Sequence, residues 1–431
     1  MHNFQYSLFY DYNAMILSSG FYRKYDALFS VLDLSDFPTI NTEVGRNGYS
    51  QHSILRALIV KHLEEIKSIP RLIEFLDAHP MLTEMCGFTM GCLPDESQFY
   101  RFLQEVPNSR IQEIHISMNK ILIETGTATL DTFVMDSKPV KAATRENNHK
   151  NPNRNTRDKN KKPRRNPQAT LHYYSYQKKT DGSKTFEFFW GYRTHVITSI
   201  EGIPLVETTL PNNKTDAKVA KTLIKKLKRL YTFKKGAFFI ADSAFDERDI
   251  YEFIIGHLKC KAFIPLNPRN TQNPKRFGPH GSPLCDAGLE MVFESAWHEG
   301  KRDRIKFRCP ITTQRKHTLS APETCPVQHP RFTDGAGYGC TKYLDVTDDA
   351  RSRVPRNTSL FKNTYNKRIV VEQYFSRLGE REAEQTTHYK LRSVKNQMTI
   401  AHLAQSLIAL AAVQLQRPEK IRCYRTFAHA S

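Results

Sequence analysis

The sequence predicts a mixed α/β fold, preceded by an all-α N-terminal region and interrupted by a loop-rich insertion. Three observations predict it. Apolar residues recur at helical spacing up to about residue 125. Apolar strand-like runs then alternate with amphipathic helices. Finally, residues 271–355 are rich in Gly, Pro, Cys and charge with little periodicity.

The first zone begins with "SQHSILRALIVKHLEEI", where Ser50 is a cap candidate and Ile54, Leu55, Leu58, Ile59, Leu63 and Ile66 have the spacing of one helix face. "SIPRLIEFLDAHP" starts a second helix at Ser68 and Pro70, and "SQFYRFLQEV" a third after the "GCLPDE" break. Short helices with tight breaks suit either a helix-turn-helix that enters the DNA major groove or a plain supporting bundle.

In the second zone "TFVMDSKPV" reads as an apolar strand ending at Asp136, "FEFFWGYRTHVITSI" as a second strand and "GIPLVETTL" as a third. A helix follows in "TDAKVAKTLIKKLKRL", capped by Thr215 or Asp216. "GAFFIADSAFD" is then a buried strand ending at Asp242, before the helix "ERDIYEFIIGHL" and the strand "KAFIPL". Between the first two strands, residues 141–170 carry many Lys, Arg, Asn and Pro, the composition of a flexible basic loop. It is either a solvated charge run or a phosphate-binding loop. After the insertion the helical pattern returns in "NTYNKRIVVEQYFSRLGEREAE" and "LRSVKNQMTIAHLAQSLIALAAVQLQ". The expected division is therefore 1–125 helical and DNA-binding, 126–270 the first part of the α/β core, 271–355 the insertion, 356–416 the rest of the core, and 417–431 a tail.

The formal net charge of +20, from 64 Lys and Arg against 44 Asp and Glu, points to a polyanionic partner such as nucleic acid. The start "MHNFQYSLFYDYNAM" lacks the pattern of a secretion signal, and Met398 to Val413 is apolar but short and carries His402, Gln405 and Ser406, so a buried core helix is expected there. Eight scattered cysteines without a signal fit a reducing cytoplasm. Cys285, Cys309, Cys325 and Cys340 in the insertion, with His317 and His329 nearby, are either a structural zinc set or free thiols; no close C-x-x-C pair is present.

Chemistry points to three acids. Asp136 and Asp242 each follow an apolar strand, the position from which open α/β sheets present reactive groups. Glu372 sits in "IVVEQYFSRLG", beside the apolar stripe of Val371, Tyr374, Phe375 and Leu378. Carboxylates brought together demand a cation, and oxygen ligands with a phosphate substrate suit Mg²⁺ or Mn²⁺. Tyr365, Arg368 and Glu372 share one helix face, although Arg368 and Glu372 also satisfy the spacing of an ordinary surface ion pair.

The set "VMDSKPV", "FIADSAFD" and "YNKRIVVEQYFSRL" resembles the DDE transposases of bacterial insertion sequences, and "WGYRTHV", "LRSVKN" and the N-terminal "GYSQHSILRALIVKHLEEI" extend the resemblance over most of the chain. The resemblance implies an RNase H-like mixed sheet with Asp136, Asp242 and Glu372 as catalytic, Mg²⁺-binding residues. It implies cleavage at transposon ends and strand transfer into target DNA by two-metal in-line phosphoryl transfer. It further implies DNA contacts by Tyr365 and Arg368, with Lys138 and Arg193 as further candidates. Its partners would be terminal inverted repeats, target DNA and a second copy of the chain in a dimer or larger synapse, in the bacterial cytoplasm at the nucleoid. The family pattern carries a lysine where this sequence has Gly379, leaving Arg377, Arg381 and Lys390 as nearby cations. The competing readings are a repair or junction-cleaving nuclease of the same fold and a non-catalytic DNA-binding protein.

Overall fold

Among the described residues, six N-terminal helices form because their apolar residues line up at helical spacing and their ends carry stop signals: α1 (Gly20–Ser30), α2 (Gln51–Leu63), α3 (Ile69–Asp77), α4 (Pro80–Cys86), α5 (Glu96–Glu105) and α6 (Asn108–Glu124). This computed structural model describes residues 18–40, 48–147, 158, 160, 162–177, 184–214, 216–267, 277–299, 302–313, 322–329, 339–346, 350–351, 354–356, 358–379 and 383–429. Residues 148–157, 159 and 161 of the expected basic loop, together with Thr215, His317 and Arg381, lie outside them. Asp95 caps α5 by accepting the N–H of Ser97, and Gly87 ends α4 in the left-handed region at φ 93°. Helix α2 stops before Glu65, whose φ is 58°, so Ile66 falls beyond the helix that was expected to include it.

The α/β body follows as β1 (Thr132–Lys141), β2 (Thr170–Gln177), β3 (Lys184–Ser199), β4 (Pro204–Pro211), α7 (Asp216–Leu230), β5 (Phe238–Ile240), α8 (Arg248–Tyr251, continued by a π turn Glu252–His257) and β6 (Lys261–Phe263). These strands form one mixed sheet in the order β2-β3-β1-β5-β6, with β4 also on β3. Strand β3 runs antiparallel to β1, β2 and β4, while β5 is parallel to β1 and to β6. Gly191 allows the closest approach in this sheet, since a Cβ there would meet the Val140 carbonyl oxygen at 2.3 Å.

One expectation is corrected here. Strand β1 does not end at Asp136: it runs on to Lys141, but β5 pairs with it only over Thr132–Val134. Asp136 therefore stands where β1 has passed the end of its parallel neighbour. Within the loop-rich insertion, β7 (Val292–Glu299), β8 (Arg302–Arg308) and β9 (Thr341–Val346) make a separate antiparallel sheet. Beyond it come α9 (Ser359–Tyr365), a 3₁₀ turn over Asn366–Arg368, α10 (Ile369–Leu378) and α11 (Leu391–Gln414).

Helix α11 joins two cores. Val394, Met398 and Ala401 pack with the sheet, whereas Ile400, Leu403, Leu407 and Ile408 pack with the N-terminal helices. It is buried on nearly every side, as a core helix should be. Among the described residues, no helix is long and apolar enough to cross a membrane.

Candidate active site

Three separate segments bring acids to one place. Strand β1 supplies Asp136, the turn after β5 supplies Asp242, and α10 supplies Glu372. Arg368 stands among them: Nη2 donates to Asp136 Oδ2 at 3.1 Å and Nη1 donates to Glu372 Oε1. Burial works against the charge of Arg368, but Asp136, Tyr365, Asp242 and Glu372 together hold its pKa above the ordinary value. Glu372 itself is not buried; its side chain is 52% exposed, and the buried residues of α10 are Val371, Tyr374, Phe375 and Leu378.

The aspartates carry the electrostatic load. Burial pushes Asp136 up to about 6, against the pull of Arg368 and the Ser137 N–H, while Asp242 and Asp216 push it further. Burial also raises Asp242, although its carboxylate accepts the Ala244 N–H at 2.9 Å and feels Arg368. Tyr365 is half-buried, stacked on Phe361 at 6.0 Å, and burial raises its phenol before the three acids add to the effect.

The remaining sequence candidates sit differently. Lys138 donates from Nζ to the Phe375 carbonyl at 2.9 Å and lies 2.5 Å from Glu384 Oε1. Arg193, 14% exposed, pairs with Asp216 at 3.2 Å, donates to Ser137 Oγ at 3.0 Å and meets His172 Nε2 at 2.7 Å. Side chains alternate along β1, so Asp136 and Lys138 face α10 while Ser137 faces α7. Asp216 was read only as a helix cap. In the structure it accepts the Ser137 hydroxyl at 2.7 Å and adds negative potential to both Asp136 and Asp242. Its position at the start of α7 gave no sequence signal for this, because the contact depends on how α7 lies on the sheet.

Gly379 also finds an explanation. A methyl group built on it would lie 2.5 Å from Glu384 Oε1 and 2.8 Å from Lys138 Nζ, so the space beside it is filled by the Lys138–Glu384 ion pair. Arg377 reaches instead toward Gly202, and Lys390 bonds Gln104 at 3.3 Å.

The donor set of Asp136, Asp242 and Glu372 fits a hard divalent cation: all oxygen, surplus negative charge, and raised aspartate pKa values that a bound cation would relieve. As placed, neither these acids nor any other group of three or more His, Cys, Asp or Glu among the described residues is arranged to hold a metal ion. For the acids, the guanidinium of Arg368 bridges two of them. Of the zinc and free-thiol readings of Cys285, Cys309, Cys325 and Cys340, the described residues show no group arranged to hold the metal. Cys285, Cys309 and Cys340 share a small core with Met291 and Phe307, Cys325 is less buried, and burial with the neighbouring sulfurs pushes the Cys340 thiol up to about 11. They read as packed thiols.

Known families fit this arrangement. Residues 128–407 match the family described as Transposase DDE domain, and residues 13–105 match Transposase domain (DUF772). No curated protein matches the chain. The first match spans the sheet, all three acids and most of α11, so this chain belongs to the DDE transposases of the insertion-sequence kind.

Proposed function

We propose that this chain is a Mg²⁺-dependent DNA transposase that cleaves at transposon ends and transfers the freed strand into target DNA. The observation that carries the reading is the gathering of Asp136, Asp242 and Glu372, from three distant segments, around the single guanidinium of Arg368. Asp136, Asp242 and Glu372 would hold two Mg²⁺ ions, with Mn²⁺ able to replace them. When bound, such ions activate the attacking oxygen and stabilise the leaving oxygen of an in-line displacement.

The protein's own residues supply position and charge. Strands β1 and β5 are parallel neighbours in a buried sheet, which holds Asp136 and Asp242 on rigid backbone. Arg368 offers a planar guanidinium to a phosphate of the DNA end, and Tyr365 lies beside it for the same end. Helices α1–α6 would bind terminal inverted repeats, and the net charge of +20 supports backbone contacts along both DNA partners. Two ends must be held together, which calls for a dimer or larger synapse.

The test uses DNA carrying the inverted repeats that flank the coding region. Asp136→Ala, Asp242→Ala and Glu372→Gln should each abolish Mg²⁺-dependent cleavage and strand transfer while leaving binding largely intact. Cleavage by all three variants would reject the assignment, and binding without cleavage by the parent protein would favour a non-catalytic role.

A further inference from the structure

Lys138 joins the strand of Asp136 to the helix of Glu372. It stands two residues beyond Asp136 on the same face of β1, and its ammonium reaches the carbonyl of Phe375, which also receives the N–H of Gly379. A cation at the C-terminal end of α10 also complements the helix dipole. Glu384 closes the other side at 2.5 Å, and the end of β1 fixes that residue's backbone. The Lys141 N–H donates to the Glu384 carbonyl at 2.8 Å, and the Thr386 N–H donates to the Lys141 carbonyl at 2.9 Å.

Gly379 completes the arrangement. Its φ of −65° and ψ of −44° are ordinary helical values, so backbone conformation does not require glycine here. An added Cβ would come within 2.5 Å of Glu384 Oε1 and 2.8 Å of Lys138 Nζ, so it would press on the tips of the two side chains that pair beside it. The room beside Gly379 is taken by the Lys138–Glu384 ion pair.

We propose that Lys138 is a positioning residue that sets the separation of Asp136 and Glu372, and that glycine at 379 leaves room for the Lys138–Glu384 pair that holds it there. The inference rests on the reading of these acids as the metal site. It makes a prediction opposite to that of simple electrostatics. Removing a cation near carboxylates should strengthen divalent binding if charge alone matters. If Lys138 works by holding the two acids at their spacing, its loss should weaken binding, by about tenfold, as loss of the groups that orient metal ligands does.

The experiment is calorimetric titration of Mn²⁺ into the full-length protein without DNA, for the parent, Lys138→Met, Gly379→Ala, the double variant and Asp136→Asn. Lys138→Met is expected to weaken Mn²⁺ binding about tenfold. Gly379→Ala, which keeps the lysine but crowds it out, is expected to give a similar loss, and the double variant no more than either single one. Binding by Lys138→Met as tight as the parent's, or tighter, overturns the positioning role. Parent-like binding by Gly379→Ala, or losses that multiply in the double variant, overturns the coupling to Gly379. If Asp136→Asn binds Mn²⁺ as the parent does, the metal-site reading fails and the positioning role falls with it.

Discussion

Replacing His402 with Gln should flatten the acid limb of the stability curve. His402 lies in α11 and joins the glutamate helix to the sheet, bonding Tyr374 through Nδ1 and Thr194 at 2.9 Å through Nε2. Burial pushes its pKa down to about 3, and burial does the same to His115 and His388. In the unfolded chain each titrates near ~6.5. The folded pKa is depressed, so below ~6.5 the unfolded state binds more protons. Stability is therefore complete above ~6.5 and drains away as pH falls. At pH 5 the gap from the unfolded value is about 1.5 units, or about 2 kcal/mol per histidine at ~1.36 kcal/mol per unit. The three together remove about 6 kcal/mol between pH 7 and pH 5, a large part of the ~5–15 kcal/mol that a domain possesses. Urea unfolding at pH 7, 6 and 5 checks this. The parent should lose about 2 kcal/mol more across the range than His402→Gln, whatever the variant's starting stability. Equal losses in the two proteins would refute the reasoning, as would a parent whose stability does not change.

Other perturbations have equally definite outcomes. Asp246 is fully buried and held by Arg351 through two bonds of 2.6 Å, so Arg351→Ala should strand a charge and lower stability by about 3–5 kcal/mol in thermal unfolding. Leu407→Ala removes a fully buried side chain from the core shared by α11 and the N-terminal helices, and should cost about 2–5 kcal/mol by the same measurement. On end-containing DNA followed by anisotropy across a salt series, Arg368→Gln should reduce the magnitude of the salt slope by about 1. Arg193→Gln should leave that slope unchanged, because Asp216, Ser137 and His172 already engage its guanidinium.

Much of this fold was legible because periodicity reports burial. Helices α2, α3 and α5 and strands β3 to β6 follow from it directly. Where burial and pattern part company, the sequence misleads. Strand β1 was expected to end at Asp136, yet it runs on through Pro139, a proline tolerated there because β5 has already stopped pairing and needs no donor from it. Strands β7 to β9 were hidden by charges, such as Lys306 and Arg308, that pair with Glu294 across the sheet. Strand β2 was missed because its aromatic run adjoins the basic loop. The acids themselves were readable one by one, and Glu372 drew notice through its apolar neighbours although it is exposed. What no local pattern could give is the company they keep: Asp216 beneath Ser137, Lys138 lodged against Gly379, and Arg368 between two acids.

Anomalous diffraction from crystals soaked in Mn²⁺ tests the metal site most directly. The predicted result is Mn²⁺ density bounded by the carboxylates of Asp136, Asp242 and Glu372, with Arg368 turned away from Asp136. Arg368 still bridging Asp136 and Glu372, with no Mn²⁺ at the three acids in a protein that cleaves its DNA ends in Mn²⁺, would contradict it.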